Sequence, residues 1–155
     1  MDRRGRDSRG LEASPRLLAE THSAAATESF AAGWCCALPK GAVVMLFGGL
    51  GAGKTTFTRG ALRGLGFQGE VTSPTFTYLH LYPTPEGNVA HFDLYRLSRA
   101  DEFYRMGWEE VIESSRLTLI EWPERLEGWR PDNSWELQLL VSGSGRQLLQ
   151  LSEGH

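Results

Sequence analysis

The eight residues "GGLGAGKT", Gly48 to Thr55, constrain this chain more than any other stretch. They fit the pattern Gly, four residues, Gly, Lys, then Ser or Thr, which wraps a backbone around phosphate groups. Main-chain N–H groups can ring anionic oxygens only where no Cβ intrudes, hence the glycines. Such a loop also needs a strand in front of it and a helix behind it. "AVVMLF", Ala42 to Phe47, is short, β-branched and continuously apolar, the pattern of a strand buried on both faces. From Lys54 the spacing of Phe57, Ala61 and Leu65 predicts an amphipathic helix, ended by Gly64 and Gly66. That helix would aim its unpaired N–H groups and positive end at the same phosphates. Lys54, one of only two lysines in the chain, would reach the β and γ phosphates, Thr55 would offer a hydroxyl to Mg²⁺, and Thr56 would serve the α-phosphate side.

A chain of 155 residues is the usual size of one domain, and can bury about 70% of its unfolded surface without staples. Its net charge of -3 argues against a broad nucleic-acid footprint, although arginine far outnumbers lysine and a local basic patch stays open. The two cysteines, Cys35 and Cys36, are adjacent and read as small apolar residues in a reducing compartment, with no basic partner in sequence to make a thiol catalyst. No apolar run is long enough to span a membrane, and the arginine-rich start is neither a secretory signal nor a transit peptide. Residues 1–18 are expected to be a disordered leader and 19–155 a single domain in the cytoplasm.

Along the chain, Ser23 is the expected cap of a helix that carries Phe30 and Trp34 on one face. Strands are expected in "FTYLHLYP" and "VAHFDLY", joined as a hairpin by "TPEGN", and again in "RLTLIEW", stopped by Pro123. "RADEFYRMGWEEVIESS" reads as helix in two pieces split at Gly107, and "SWELQLLVSGSGRQLLQLSE" as a closing hairpin. The order predicts an α/β, three-layer phosphate-loop fold with a parallel core sheet and antiparallel additions.

Three further stretches carry candidate chemistry. Glu121 ends the strand "LTLIE", where a phosphate-loop site keeps its metal-binding acid, and an exposed strand-end glutamate is the plain alternative. In "HFDLYR", His91 and Asp93 lie two apart and so face the same side of a strand. A metal pair there would need ligands the sequence does not show. Asp93 reads either as a group that orients or deprotonates water near the γ phosphate, or as a solvated carboxylate paired with Arg96. "TSPTFT", Thr72 to Thr77, reads either as a γ-phosphate-sensing loop or as a hydroxyl-rich turn.

Taken together, "THSAAAT", "GGLGAGKTTFTRG", "SPTFT", "HFDLYRL", "IEWPE" and the late "GSGR" resemble the TsaE (YjeE) family in that order, over about Thr21 to Leu151. The resemblance implies a P-loop ATPase that binds ATP and Mg²⁺, hydrolyses weakly alone, and works with the TsaB–TsaD complex that threonylcarbamoylates the tRNA adenosine beside the anticodon. tRNA would be met only through that complex. It implies Gly51, Ala52, Gly53, Lys54, Thr55 and Thr56 for the phosphates, Thr55 and Glu121 for Mg²⁺, and Lys54 and Asp93 for catalysis. It places Trp122 beside the nucleotide, Gly145 and Arg146 near the base, and the segment Thr21–Thr27 toward the adenine. The chain departs from the family at Gly49, where an acidic or amide residue is usual. The residues alone leave other functions open: a small-molecule P-loop kinase, whose lid arginines "RPDNSW" or "LYRLSR" could supply; a GTP switch, for which the guanine signature is missing; and a nucleotide-free interaction module.

Overall fold

The computed structural model describes residues 15–72 and 78–152. Most of the 1–18 leader and the core of "TSPTFT" therefore lie outside the described residues. The elements run β1 (Arg16–Thr21), α1 (Ala24–Cys36), β2 (Ala42–Phe47), α2 (Lys54–Gly64), β3 (Leu79–Thr84), β4 (Gly87–Asp93), α3 (Ala100–Arg105), α4 (Trp108–Ser114), β5 (Leu117–Glu121), a 3-10 turn (Pro123–Leu126), β6 (Ser134–Ser142) and β7 (Gly145–Ser152).

Seven strands form one sheet in the order β1-β7-β6-β2-β5-β4-β3. Its centre is parallel: β2 pairs with β5 and β6, and β5 with β4. The hairpin β3–β4 and the strands β7 and β1 add antiparallel edges. All six residues of β2 and all five of β5 are buried, as their unbroken apolar runs require. Alternate residues serve opposite layers. Val44, Leu46, Leu117 and Leu119 join Phe57, Ala61 and Leu65 beneath α1 and α2. Val43, Met45 and Ile120 join Phe103, Ile112 and Leu126 beneath α3, α4 and the 3-10 turn. The expected three-layer arrangement is the one observed.

Local signals hold. Ser23 Oγ accepts from the Ala26 N–H at 3.0 Å and caps α1. Gly107, at φ 72°, divides α3 from α4. β1 is the element the sequence does not announce. It starts at Arg16, inside the segment expected to be leader, and pairs with β7 at the far end of the chain, with Thr21 opposite Arg146. Cys35 is buried and Cys36 exposed, both free, and burial pushes both thiols up from their ordinary range. No helix among the described residues is long and apolar enough to cross a membrane.

α2 crosses α1 at unusually short range. A Cβ on Gly60 would stand 2.3 Å from the Glu28 carbonyl oxygen, and one on Gly64 2.8 Å from Ala32 Cα. The two glycines let the backbones meet and drop α2 onto the sheet. Gly33, on α1, has no neighbouring atom within 4 Å of the same position. Gly60→Ala is therefore expected to destabilise the protein by about 1–3 kcal/mol or more through overpacking against backbone. Gly33→Ala should stabilise it by up to about 1 kcal/mol through helix propensity. Urea unfolding of both variants checks the pair, and equal effects would contradict the packing described.

Candidate functional site

Three parallel strands, β2, β4 and β5, end on the same edge of the sheet, the place where open α/β sheets hold ligands. A cavity of about 370 Å³ opens there. Gly51, Gly53, Lys54, Thr55 and Thr56 form its floor, Asp93 and Glu121 one wall, and Leu50, Tyr95, Trp122 and Arg146 its mouth.

The floor is the turn from β2 into α2. Gly53 caps the helix in a left-handed conformation (φ 106°), with no side chain to occupy the first N–H groups, so those donors face the cavity. Gly48, at φ 153°, also lies against β6: a Cβ there would meet the Leu139 carbonyl oxygen at 2.9 Å. The Lys54 ammonium donates to the Gly48 carbonyl at 2.6 Å and lies 3.9 Å from the centre of the Trp122 ring. Burial pulls Lys54 below its ordinary pKa, while the charges of Glu121, Glu124 and Asp93 pull it back up. An ammonium so placed loses little hydration when it meets an anion.

Strand register assembles the acids. Glu121 ends β5 opposite Leu46 of β2 on one side and Asp93 of β4 on the other. Glu121 is only 4% exposed, which removes the reading of a solvated strand-end glutamate. One of its oxygens, Oε2, accepts from His91 Nε2 at 2.8 Å. Asp93 accepts from the Tyr95 N–H at 3.1 Å, and among the described residues no ion pair joins it to Arg96. Burial pushes the Asp93 carboxyl above the usual range; the Tyr95 amide opposes that rise and the Glu121 charge adds to it. Among the described residues no cluster of three or more His, Cys, Asp or Glu could hold a metal by itself. The oxygens of Thr55, Glu121 and Asp93 suit a hard cation that completes its shell with water and phosphate, the habit of Mg²⁺.

Trp122 follows Glu121 at φ 59°, ψ 49°, a costly left-handed conformation for a bulky residue, by about 1–3 kcal/mol. Pro123 behind it and the Tyr95 ring, 4.9 Å away, hold it over Lys54. Arg146 leaves β7 to donate to the Gly51 carbonyl at 3.2 Å. It also lines a second, adjoining cavity of about 170 Å³ with Gly53, Thr56, Gly145 and the segment from Thr21 to Thr27.

Of the residues singled out in the sequence, Gly51, Gly53, Lys54, Thr55, Thr56, Asp93, Glu121, Trp122 and Arg146 surround the first cavity. Gly145 stands in the second. Ala52 has its side chain buried in the core, and its N–H bonds to the Gly49 carbonyl at 3.2 Å. Sequence reasoning did not pick out Leu50, Tyr95 or the bond from His91 to Glu121. Tyr95 and His91 both sit in the quoted "HFDLYR" run, in step with Asp93, and that alternation was the available signal. Arg146 on the Gly51 carbonyl was also beyond reach, because β7 contacts the loop only through the folded sheet.

The chain is similar to known proteins. The family model "Threonylcarbamoyl adenosine biosynthesis protein TsaE" matches residues 21–148. Proteins named tRNA threonylcarbamoyladenosine biosynthesis protein TsaE are similar at 45% identity in Haemophilus influenzae, over 60% of this chain and 59% of that protein, and at 39% in Treponema pallidum, over 71% and 81%. One from Rickettsia bellii is 36% identical over 81% of this chain and 88% of its own. Among solved structures, Bacillus subtilis YdiB superposes with a TM-score of 0.72 at 26% identity, covering 91% of this chain and 88% of that one.

The loop glycines differ in what they tolerate. A Cβ at Gly49 meets nothing within 4 Å among the described residues, and its φ is not left-handed. Gly49→Asn is expected to leave stability within about 0.5 kcal/mol. Gly53→Asn, at φ 106°, is expected to lose phosphate binding and about 1 kcal/mol or more of stability. Thermal unfolding together with pyrophosphate titration by calorimetry distinguishes the two.

Proposed function

The chain belongs to the TsaE family of tRNA threonylcarbamoyladenosine biosynthesis, and from that premise we propose that it is a Mg²⁺-dependent P-loop ATPase, slow alone and stimulated by the TsaB–TsaD complex. One observation carries the reading: the bare N-terminus of α2 and the Lys54 ammonium share a cavity with two carboxylates brought together by strand register. Phosphates fit the floor, because it offers backbone donors and a glycine cap whose left-handed turn a side chain would strain. A bound Mg²⁺, held by Thr55 and Glu121, would neutralise charge on the β and γ oxygens.

The chain's own residues supply the rest. Backbone N–H groups of the turn Gly51–Thr56 orient the phosphates, Ala52 giving up its bond to the Gly49 carbonyl. Lys54 exchanges its bond to the Gly48 carbonyl for the β and γ oxygens. Asp93, whose carboxyl holds its proton more tightly than usual, is suited to accept the proton of the attacking water. Trp122 and Tyr95 screen the mouth, and the Thr21–Thr27 segment with Gly145 and Arg146 receives the nucleoside in the adjoining cavity. Arg146 already donates to the carbonyls of Gly51 and Gly145, so the strongest charge on a developing transition state would come from a partner, worth about 10³–10⁵-fold in other P-loop systems. Meeting tRNA through the complex rather than directly accords with the -3 net charge.

The alternative, a small-molecule kinase, would need free arginines in a lid. Arg130 of "RPDNSW" is instead paired with the buried Glu136, donates to the Trp129 carbonyl and lies over Phe47. In "LYRLSR", Arg99 is tied to Asp101, which leaves Arg96 as the arginine of that stretch without an ion pair among the described residues.

ATP turnover measured with and without purified TsaB and TsaD tests the proposal. Stimulation by the pair is expected. Lys54→Ala and Asp93→Ala should each lower stimulated turnover by about 10²-fold or more, with circular dichroism unchanged. No stimulation, or transfer of phosphate to a small acceptor in place of water, would overturn it.

A further inference from the structure

His91 is completely buried on β4, on the face of the sheet that α1 and α2 cover. Its Nε2 lies 2.8 Å from Glu121 Oε2, and because a carboxylate can only accept, Nε2 carries the hydrogen. Its other ring nitrogen, Nδ1, is buried and has no hydrogen-bond partner among the described residues. Among the described residues, the bond to Glu121 is thus the imidazole's one polar contact. A buried ring with an unsatisfied nitrogen is a poor choice for packing alone, since an apolar side chain would fill the same space without stranding a polar atom.

We infer that His91 is a positioning residue: it fixes one oxygen of Glu121 through Nε2–H and leaves the other oxygen turned to the cavity to hold the divalent cation. This rests on the reading of Glu121 as a metal-binding carboxylate. A glutamate has three side-chain torsions, and free to rotate it would present either oxygen in many directions. The strand fixes only its Cα. The His91 bond removes the remaining freedom before a cation arrives, as partners behind metal-binding carboxylates do elsewhere. His91 and Asp93 then divide the work of one strand face, the first aiming the acid of β5 and the second facing the cavity.

The test uses the full chain saturated with a non-hydrolysable ATP analogue and titrated with Mn²⁺, bound metal being read by electron paramagnetic resonance. His91→Leu, which keeps the core filled, is expected to weaken Mn²⁺ binding by about 10–100-fold, while metal-free analogue affinity changes by less than about twofold. His91→Gln, whose amide can replace Nε2–H, should recover most of the metal affinity. Should His91→Leu fail to fold, His91→Asn serves in its place, since its shorter amide keeps a polar group but falls short of Glu121. In a Glu121→Gln background the His91 substitutions should add nothing further. Unchanged Mn²⁺ affinity in the Leu or Asn variant, or an equal loss of metal-free analogue binding, would overturn the inference alone. A wild-type chain that takes up neither analogue nor Mn²⁺ would overturn it together with the ATPase reading.

Discussion

Hydrogen bonding between β2 and β5 sets Leu46 beside Glu121, and the ladder between β5 and β4 sets Glu121 beside Asp93. The rest of the site follows from these two parallel pairings. Side chains alternate along a strand, so a slip of one residue would turn Glu121 or Asp93 to the opposite face, beneath α3 and α4. The buried alternation on both faces prevents such a slip: Val44 and Leu46 belong to one core, Val43 and Met45 to the other, and neither set can trade places without burying the wrong partners. The apolar centre of the sheet is therefore what aligns two acids with a phosphate loop, although none of its residues touches the cavity.

The loop must also be aimed, and α2 does this. Gly60 and Gly64 bring α2 to within backbone contact of α1, and Phe57 packs edge-on to Trp34 of that helix. Glycine lowers helix propensity by about 1 kcal/mol at each position, so α2 depends on tertiary contacts to stay helical. Its first turn can then leave its N–H groups to the cavity without a side-chain cap. A helix that relied on its own cap for stability would have spent on a serine or aspartate the same N–H groups the cavity uses.

How much of this the sequence disclosed depended on range. The floor of the site was legible because strand, loop and helix are contiguous and the residue types are dictated by backbone geometry. Glu121 and Asp93 were legible as acids at strand ends, but their adjacency is a property of the sheet order. β1 was hidden because "RLLAET" has no clean period-two pattern and its partner lies about 125 residues away, at β7. Arg146 on the Gly51 carbonyl depends on that same distant strand. Ala52 was read as a phosphate contact because it sits in the motif. The fold also buries its methyl group in the core, a detail set by tertiary packing that the motif does not disclose.

Charge closes the argument about the cation. Lys54 and Arg146 bring two positive charges to the cavity, and Asp93 and Glu121 bring two negative ones. Side chains alone therefore give the site little net attraction for a polyanion such as a triphosphate. The helix terminus contributes about half a charge, and its influence fades within a turn. A divalent ion arriving with a nucleotide would change the balance: it would offset the phosphates and give the carboxylates something to hold rather than something to repel. On this reading the two acids disfavour the bare nucleotide and favour the metal-bound one. The buried bond from His91 keeps one of those acids in place, turned toward the cavity, whether or not the cation has come.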